Sequence, residues 1–313
     1  MFRMVEFLSQ GATLRGRLYL PPGALEPSPV VIMAHGFSAT ISGMAADCYA
    51  EVFQEAGMAV LLYDHRNFGL SDGEPRQEIN KWVQARGYRD AIDYLVTLPG
   101  IDPGRIALWG DSLSGAETIM VGAVDARVGA VVAQVPACGD RAAPLDPDGQ
   151  HFALIRETFL HADLNGEPRV TLGPMPVVSF DPVDVPCLLT PLTAFRWFIE
   201  YGGRYGTGWE NRASVVGPTV PMPFHAGLCS PHLKAPLLMV IAREDEMPGS
   251  NSGIARAVLD AAAAPKELME IDGGHFGLLH YPSLLFDEVS HAQVDFLNRH
   301  LVAAPISILS RKE

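Results

Sequence analysis

Five short apolar runs, at 30–34, 59–63, 106–109, 130–135 and 237–242, alternate with longer stretches of helical period near 46–57, 80–98, 113–124 and 250–263. A run with no polar interruption has both faces buried, which is the condition of a strand inside a parallel sheet, and the helical stretches supply the crossovers. Right-handed crossovers distribute those helices over both faces of the sheet. The expected fold class is therefore α/β, a doubly wound and mostly parallel sheet. Upstream, residues 5–20 read as a hairpin of two strands about Gln10-Gly11, an antiparallel extension of one edge.

The rhythm stops between 139 and 233, where prolines are frequent and Phe195, Trp197, Phe198, Tyr201, Tyr205 and Trp209 cluster. A connection of this length without structure of its own does not suit a compact domain. Two amphipathic stretches, near 151–162 and 191–201, offer helices. Residues 139–233 are thus expected to form an inserted helical cap over the carboxyl ends of the strands, where open α/β sheets bind ligands. Residues 1–138 and 234–313 would form the core. Most of the aromatic cluster is expected to tie the cap down, and some of it to line a pocket.

One strand end carries an unusual string. The run Ile106-Ala107-Leu108-Trp109 leads into Gly110-Asp111-Ser112-Leu113-Ser114-Gly115 and then a helical stretch. A sharp strand-to-helix turn of this kind exposes a serine oxygen at the sheet edge in a strained backbone conformation, and the residues two before and two after must be small. Gly110 and Ser114 meet that demand, although the usual pattern has glycine at both positions. Taken alone, the string is equally compatible with an ordinary turn.

Other strand ends supply what a serine nucleophile needs. Asp272-Gly273-Gly274-His275-Phe276 follows the strand-like 268–271, and its two glycines let a loop lean over the serine, so His275 is the expected base. Arg243-Glu244-Asp245-Glu246-Met247-Pro248 follows the last of the five apolar runs, and Asp245 is the expected acid, holding the imidazole tautomer. Met33-Ala34-His35-Gly36-Phe37 ends an early strand with a glycine turn able to aim the Phe37 N–H at a developing oxyanion, with the Leu113 N–H as second donor. Glu244, Glu246 and Asp140 are rival acids. His35 and Asp111 are read as local supports, His280 and His291 as surface or helix residues, and His225 and His232 as cap residues able to approach the pocket.

Composition excludes several classes. The 36 acidic and 23 basic side chains give a net charge of −13, which repels a phosphate backbone or an anionic membrane, so neither nucleic acid nor membrane is expected as a partner. No apolar run approaches the roughly 20 residues that span a bilayer, and Met1-Phe2-Arg3-Met4-Val5-Glu6 does not read as an export signal, so a cytoplasmic protein is expected. Cys48, Cys138, Cys187 and Cys229 lack metal-ligand spacing and read as reduced thiols, with a disulfide pair as the lesser reading. With no paired-histidine motif, no metal and no cofactor are expected. The expected partner is a small-molecule acyl substrate, and a homodimer is left open.

These residues resemble the α/β-hydrolase superfamily over nearly the whole chain, including its chain order of serine, acid and histidine. Tyr63-Asp64-His65-Arg66-Asn67-Phe68-Gly69-Leu70-Ser71-Asp72-Gly73 resembles the loop after the fourth strand in that superfamily, where it is mainly structural. Continuing through Glu74-Pro75-Arg76 and Gly87-Tyr88-Arg89-Asp90-Ala91, the chain is similar to the subgroup of dienelactone-hydrolase-like enzymes and fungal polyketide transferases. The resemblance implies a serine-centred acyl-enzyme. The expected function is a serine hydrolase cleaving a carboxylic ester or thioester of a small to medium, largely apolar acyl compound through Ser112. An acyltransferase to an alcohol, amine or thiol uses the same covalent step, and water exclusion by a folded cap separates the two. A ligand-binding module without catalysis would need only the pocket.

Overall fold

The computed structural model describes residues 1–23, 27–43, 46–166 and 169–302. In chain order its strands are β1 (Phe2–Ser9), β2 (Ala12–Tyr19), β3 (Ser28–Ala34), β4 (Ala59–Tyr63), β5 (Glu78–Ile79), β6 (Ile101–Asp111), β7 (Val128–Gln134), β8 (Arg169–Met175), β9 (Ala213–Pro218), β10 (Leu237–Ala242) and β11 (Lys266–Ile271). The helices are α1 (Ala46–Glu55), α2 (Lys81–Leu95), α3 (Ser112–Val124), α4 (Gln150–His161), α5 (Leu192–Tyr201), α6 (Ala226–Cys229), α7 (Ser252–Ala261) and α8 (Leu284–Leu297).

Eight strands form one sheet in the order β1-β2-β4-β3-β6-β7-β10-β11, parallel throughout except that β2 runs antiparallel to both neighbours. Every residue of β3, β4 and β10 is buried, as the unbroken apolar runs require. At the edge, β1 alternates buried and exposed positions, and the hairpin turns through Gln10 and Gly11, both at positive φ.

The side-chain alternation of the strands sorts the core into two layers. Val30, Ile32, Leu61 and Leu108 pack with α2, α3 and α7, whereas Val31, Met33, Leu62 and Trp109 pack with α1 and α8 on the opposite face. That is the doubly wound arrangement. Trp109 is fully buried, and its indole N–H is satisfied by Gln293 Oε1 at 2.9 Å, whose own amide donates to Gln134 at 2.6 Å. Helix α8 is an element that the apolar rhythm did not mark.

The chain leaves β3 toward β4 on one side and returns to it through β6 on the other, so β3 and β6 flank the topological switch point. Their carboxyl ends carry His35-Gly36-Phe37 and Asp111-Ser112 side by side.

Between β7 and β10 lie α4, β8, α5, β9 and α6. The insertion is therefore mixed rather than purely helical: β8 and β9 form an antiparallel ribbon that pairs with β5, order β5-β9-β8. The ribbon escaped sequence reading because its third strand is a two-residue piece 90 positions before β8 begins. Of the aromatic cluster, Trp197, Phe198 and Tyr201 are buried, but Tyr205 is fully exposed and ties nothing down. All four cysteines are unpaired. Among the described residues no helix is long and apolar enough to cross a membrane.

Candidate active site

Ser112 stands at the junction of β6 and α3 with φ +54°, a conformation that serine adopts only when its surroundings impose it. Those surroundings are tight. A Cβ on Gly110 would lie 2.5 Å from the carbonyl carbon and oxygen of Ser114, and one on Gly36 would lie 2.9 Å from Ser112 Cβ. Both positions therefore require glycine.

Ser114, where a second glycine is usual, keeps its side chain by burying it in a polar cluster. Its hydroxyl donates to the His35 carbonyl oxygen and lies 3.0 Å from His65 Nε2 and 3.2 Å from Glu117 Oε2. His65 Nε2 also reaches the His35 carbonyl at 3.0 Å. Burial pushes the His65 and His35 imidazoles down to about 3 and holds the Glu117 carboxyl well above its usual range, so burial disfavours charge throughout the cluster. The support expected of the His35 ring comes instead from its backbone, since neither ring nitrogen has a partner among the described residues.

At the end of β11, Gly273 turns at φ +89° and presents His275. His275 Nδ1 lies 2.8 Å from Asp245 Oδ2, with both side chains buried, and the other oxygen of Asp245 accepts from the Met247 N–H at 3.0 Å. The rival acids are occupied elsewhere or lack this contact. Glu246 accepts from the backbone N–H of His275 at 3.0 Å and from Thr193, and Asp140 accepts from the Gly249 N–H at 3.0 Å. Gly274 is small for a separate reason: the Glu246 carboxylate occupies the space its Cβ would take. An imidazole whose Nδ1 faces a carboxylate presents Nε2 as a base.

Asp111 acts as local support, accepting the Gly36 N–H at 3.1 Å, and burial pushes its carboxyl up to about 6. The Phe37 N–H makes no hydrogen bond among the described residues. The Leu113 N–H lies in the first turn of α3, whose amides have no intrahelical acceptor, and Asp111 does not cap them with its side chain.

Gly36, Phe37, Ser112, Leu113 and His275 line one cavity of about 310 Å³, the lower end of the range for small-molecule sites. The insertion supplies much of the remaining wall through Leu172, Leu188, Leu189, Trp197, Phe198 and Val215. His225, His232, His280 and His291 are not part of it; His232 instead stacks on Phe152 at 3.8 Å. Lys81 does line the cavity. Sequence reading passed over it, although a lysine directly after the N-cap Asn80 is oddly charged for a helix start.

The arrangement thus sets a strained serine, a carboxylate-held imidazole and free backbone donors around an apolar space. Comparison with known proteins agrees with its fold. The family model for X-Pro dipeptidyl-peptidase (S15 family) matches residues 10–149. A thiohydrolase of Arthrinium phaeospermum is 45% identical over 317 residues, covering 94% of this chain and 95% of that protein. A polyketide transferase of a Penicillium species is 38% identical over 303 residues, covering 95% of this chain and 96% of that one. Among solved structures, an alpha/beta hydrolase from Penicillium sp. sh18 superposes with a TM-score of 0.72 at 28% identity, covering 96% of this chain and 99% of that chain.

Proposed function

Because the chain belongs to the α/β-hydrolase family of these fungal thiohydrolases and polyketide transferases, we propose that it is a serine hydrolase of carboxylic esters or thioesters. Its substrate in this reading is a small to medium, largely apolar acyl compound. Ser112 Oγ attacks the acyl carbonyl while His275 Nε2 takes its proton, and Asp245 steadies the imidazolium through Nδ1. The N–H groups of Phe37 and Leu113 receive the oxyanion. His275 then returns the proton to the departing thiolate or alkoxide. In the second half, His275 activates water against the acyl-enzyme, and the acid leaves with Ser112 restored.

One observation carries this reading: Ser112, strained at φ +54°, opens into the same cavity as His275, whose Nδ1 lies 2.8 Å from Asp245. Intact mass after incubation with a fluorophosphonate, with Ser112→Ala as control, tests it. A single adduct lost in the variant supports the activated serine. An unlabelled wild type would overturn it in favour of a ligand-binding module.

A second reading, acyl transfer to an alcohol, amine or thiol, draws on the 38% identical polyketide transferase and on the apolar wall lent by the insertion. Partition of the acyl group between water and an added acceptor separates the two. We assign 139–233 as a cap on a core of 1–138 and 234–313, supported by the seven described cavity residues it contributes. We also assign the protein to the cytoplasm, supported by its unpaired cysteines.

A further inference from the structure

The cavity wall is apolar but for a few polar groups, and among the described residues only three of its side chains are ionisable: Asp111, His275 and Lys81. The first two are engaged, Asp111 by the Gly36 N–H and His275 by Asp245. Lys81 has only an aromatic partner. Its ammonium lies over the Phe224 ring, 5.1 Å from the centre, and among the described residues donates to no carboxylate or carbonyl. The acid that acts on it most, Glu117, makes no hydrogen bond to it, and burial raises that carboxyl well above its usual range.

The position is unfavourable for a cation. Lys81 is the first residue of α2, at the positive end of the helix dipole, and its partial burial removes water that would otherwise solvate it. A lysine in the wall of an apolar cavity, in no ion pair among the described residues, is the electrostatic complement of an anionic group brought in by a ligand.

We infer that Lys81 is a specificity-determining residue that pairs with a carboxylate carried on the acyl group of the substrate. The substrate class narrows accordingly to acyl thioesters or esters with an apolar body, buried against Leu172, Leu188 and Val215, and a second, free carboxylate. This inference rests on the hydrolase reading above.

The test compares S-phenyl hexanoyl thioester with the S-phenyl monothioester of adipic acid, reading the ratio of their kcat/KM values. Wild type should favour the carboxylate-bearing thioester, and Lys81→Met should lower that ratio about tenfold or more, while Lys81→Arg keeps most of it. A wild-type ratio of one or below overturns the inference without any variant, and so does a ratio unmoved in Lys81→Met. Fluorophosphonate labelling runs in parallel. Labelled wild type with no carboxylate preference defeats the Lys81 role alone, whereas unlabelled wild type defeats the hydrolase reading. Calorimetric binding of free adipate, weaker in Lys81→Met, examines the subsite without turnover, and equal affinity in the two proteins overturns it.

Discussion

The hydroxyl of Ser114 donates to the carbonyl oxygen of His35, bonding the helix that begins at Ser112 to the loop that carries Phe37. His65 Nε2, 3.0 Å from both oxygens, braces the same joint from the segment after β4. One buried side chain thereby couples the position of Ser112 to that of the Phe37 N–H. The departure from a glycine at this position is a substitution with its own partners.

Ser114→Ala should loosen that joint. It leaves the Glu117 carboxyl with one partner fewer and removes a buried hydrogen bond, for an expected loss of about 1 kcal/mol in stability. The larger effect is on turnover: kcat should fall about tenfold with KM little changed, because the donor loop is displaced relative to Ser112. Steady-state kinetics beside urea unfolding separates the two, and an unchanged kcat would show that the joint has no catalytic consequence.

Asp245→Asn should lower kcat about 10³- to 10⁴-fold, since an amide no longer enforces the imidazole tautomer. Its oxygen can still accept from Met247, so folding should be nearly unaffected. Glu246→Gln keeps an acceptor for the His275 backbone and should cost far less activity. If the Glu246 variant proved the more damaging of the two, the assignment of the acid would have to be reversed.

Gly110→Ala drives a methyl to within 2.5 Å of the Ser114 backbone, which cannot withdraw without distorting the elbow. Overpacking of this kind costs about 1–3 kcal/mol. The expected result is a lowered urea midpoint together with loss of fluorophosphonate labelling. Full labelling in a folded variant would mean that the elbow tolerates a shift the structure gives no room for.

Asp64 is buried, accepts the N–H groups of Ile41 at 2.8 Å and Leu70 at 2.9 Å, and has its carboxyl pushed up to about 6, chiefly by burial. A carboxyl raised in the fold binds its proton more tightly there than in the unfolded chain. Its stabilising contribution is therefore complete below about pH 4 and lost as pH rises through about 6. The stability of wild type relative to Asp64→Asn, measured by urea unfolding, should decline between those values and level off above pH 7. A difference that rises with pH would contradict the shift.

The parallel sheet was legible because strands buried on both faces must be apolar throughout, which leaves an unbroken run such as 237–242 in the sequence. That Ser112, Asp245 and His275 would lie at strand ends was legible for a related reason. Each comes within four residues of a strand, so its position relative to the sheet is set by a short local segment. The role of Glu246 was not legible, since two neighbouring carboxylates differ only in which part of His275 they meet.

By itself, the sequence determined the core strands of the parallel sheet, the helices between them and the placing of Ser112, Asp245 and His275 at strand ends, because burial period and turn conformation are properties of short segments. Tertiary structure alone decided the β5-β9-β8 ribbon, the joint through Ser114, His35 and His65, and the presence of Lys81 in the cavity wall. Each of these depends on contacts between residues far apart in the chain, and a hydrogen bond or an unpaired charge has no counterpart in local pattern until folding brings its surroundings together.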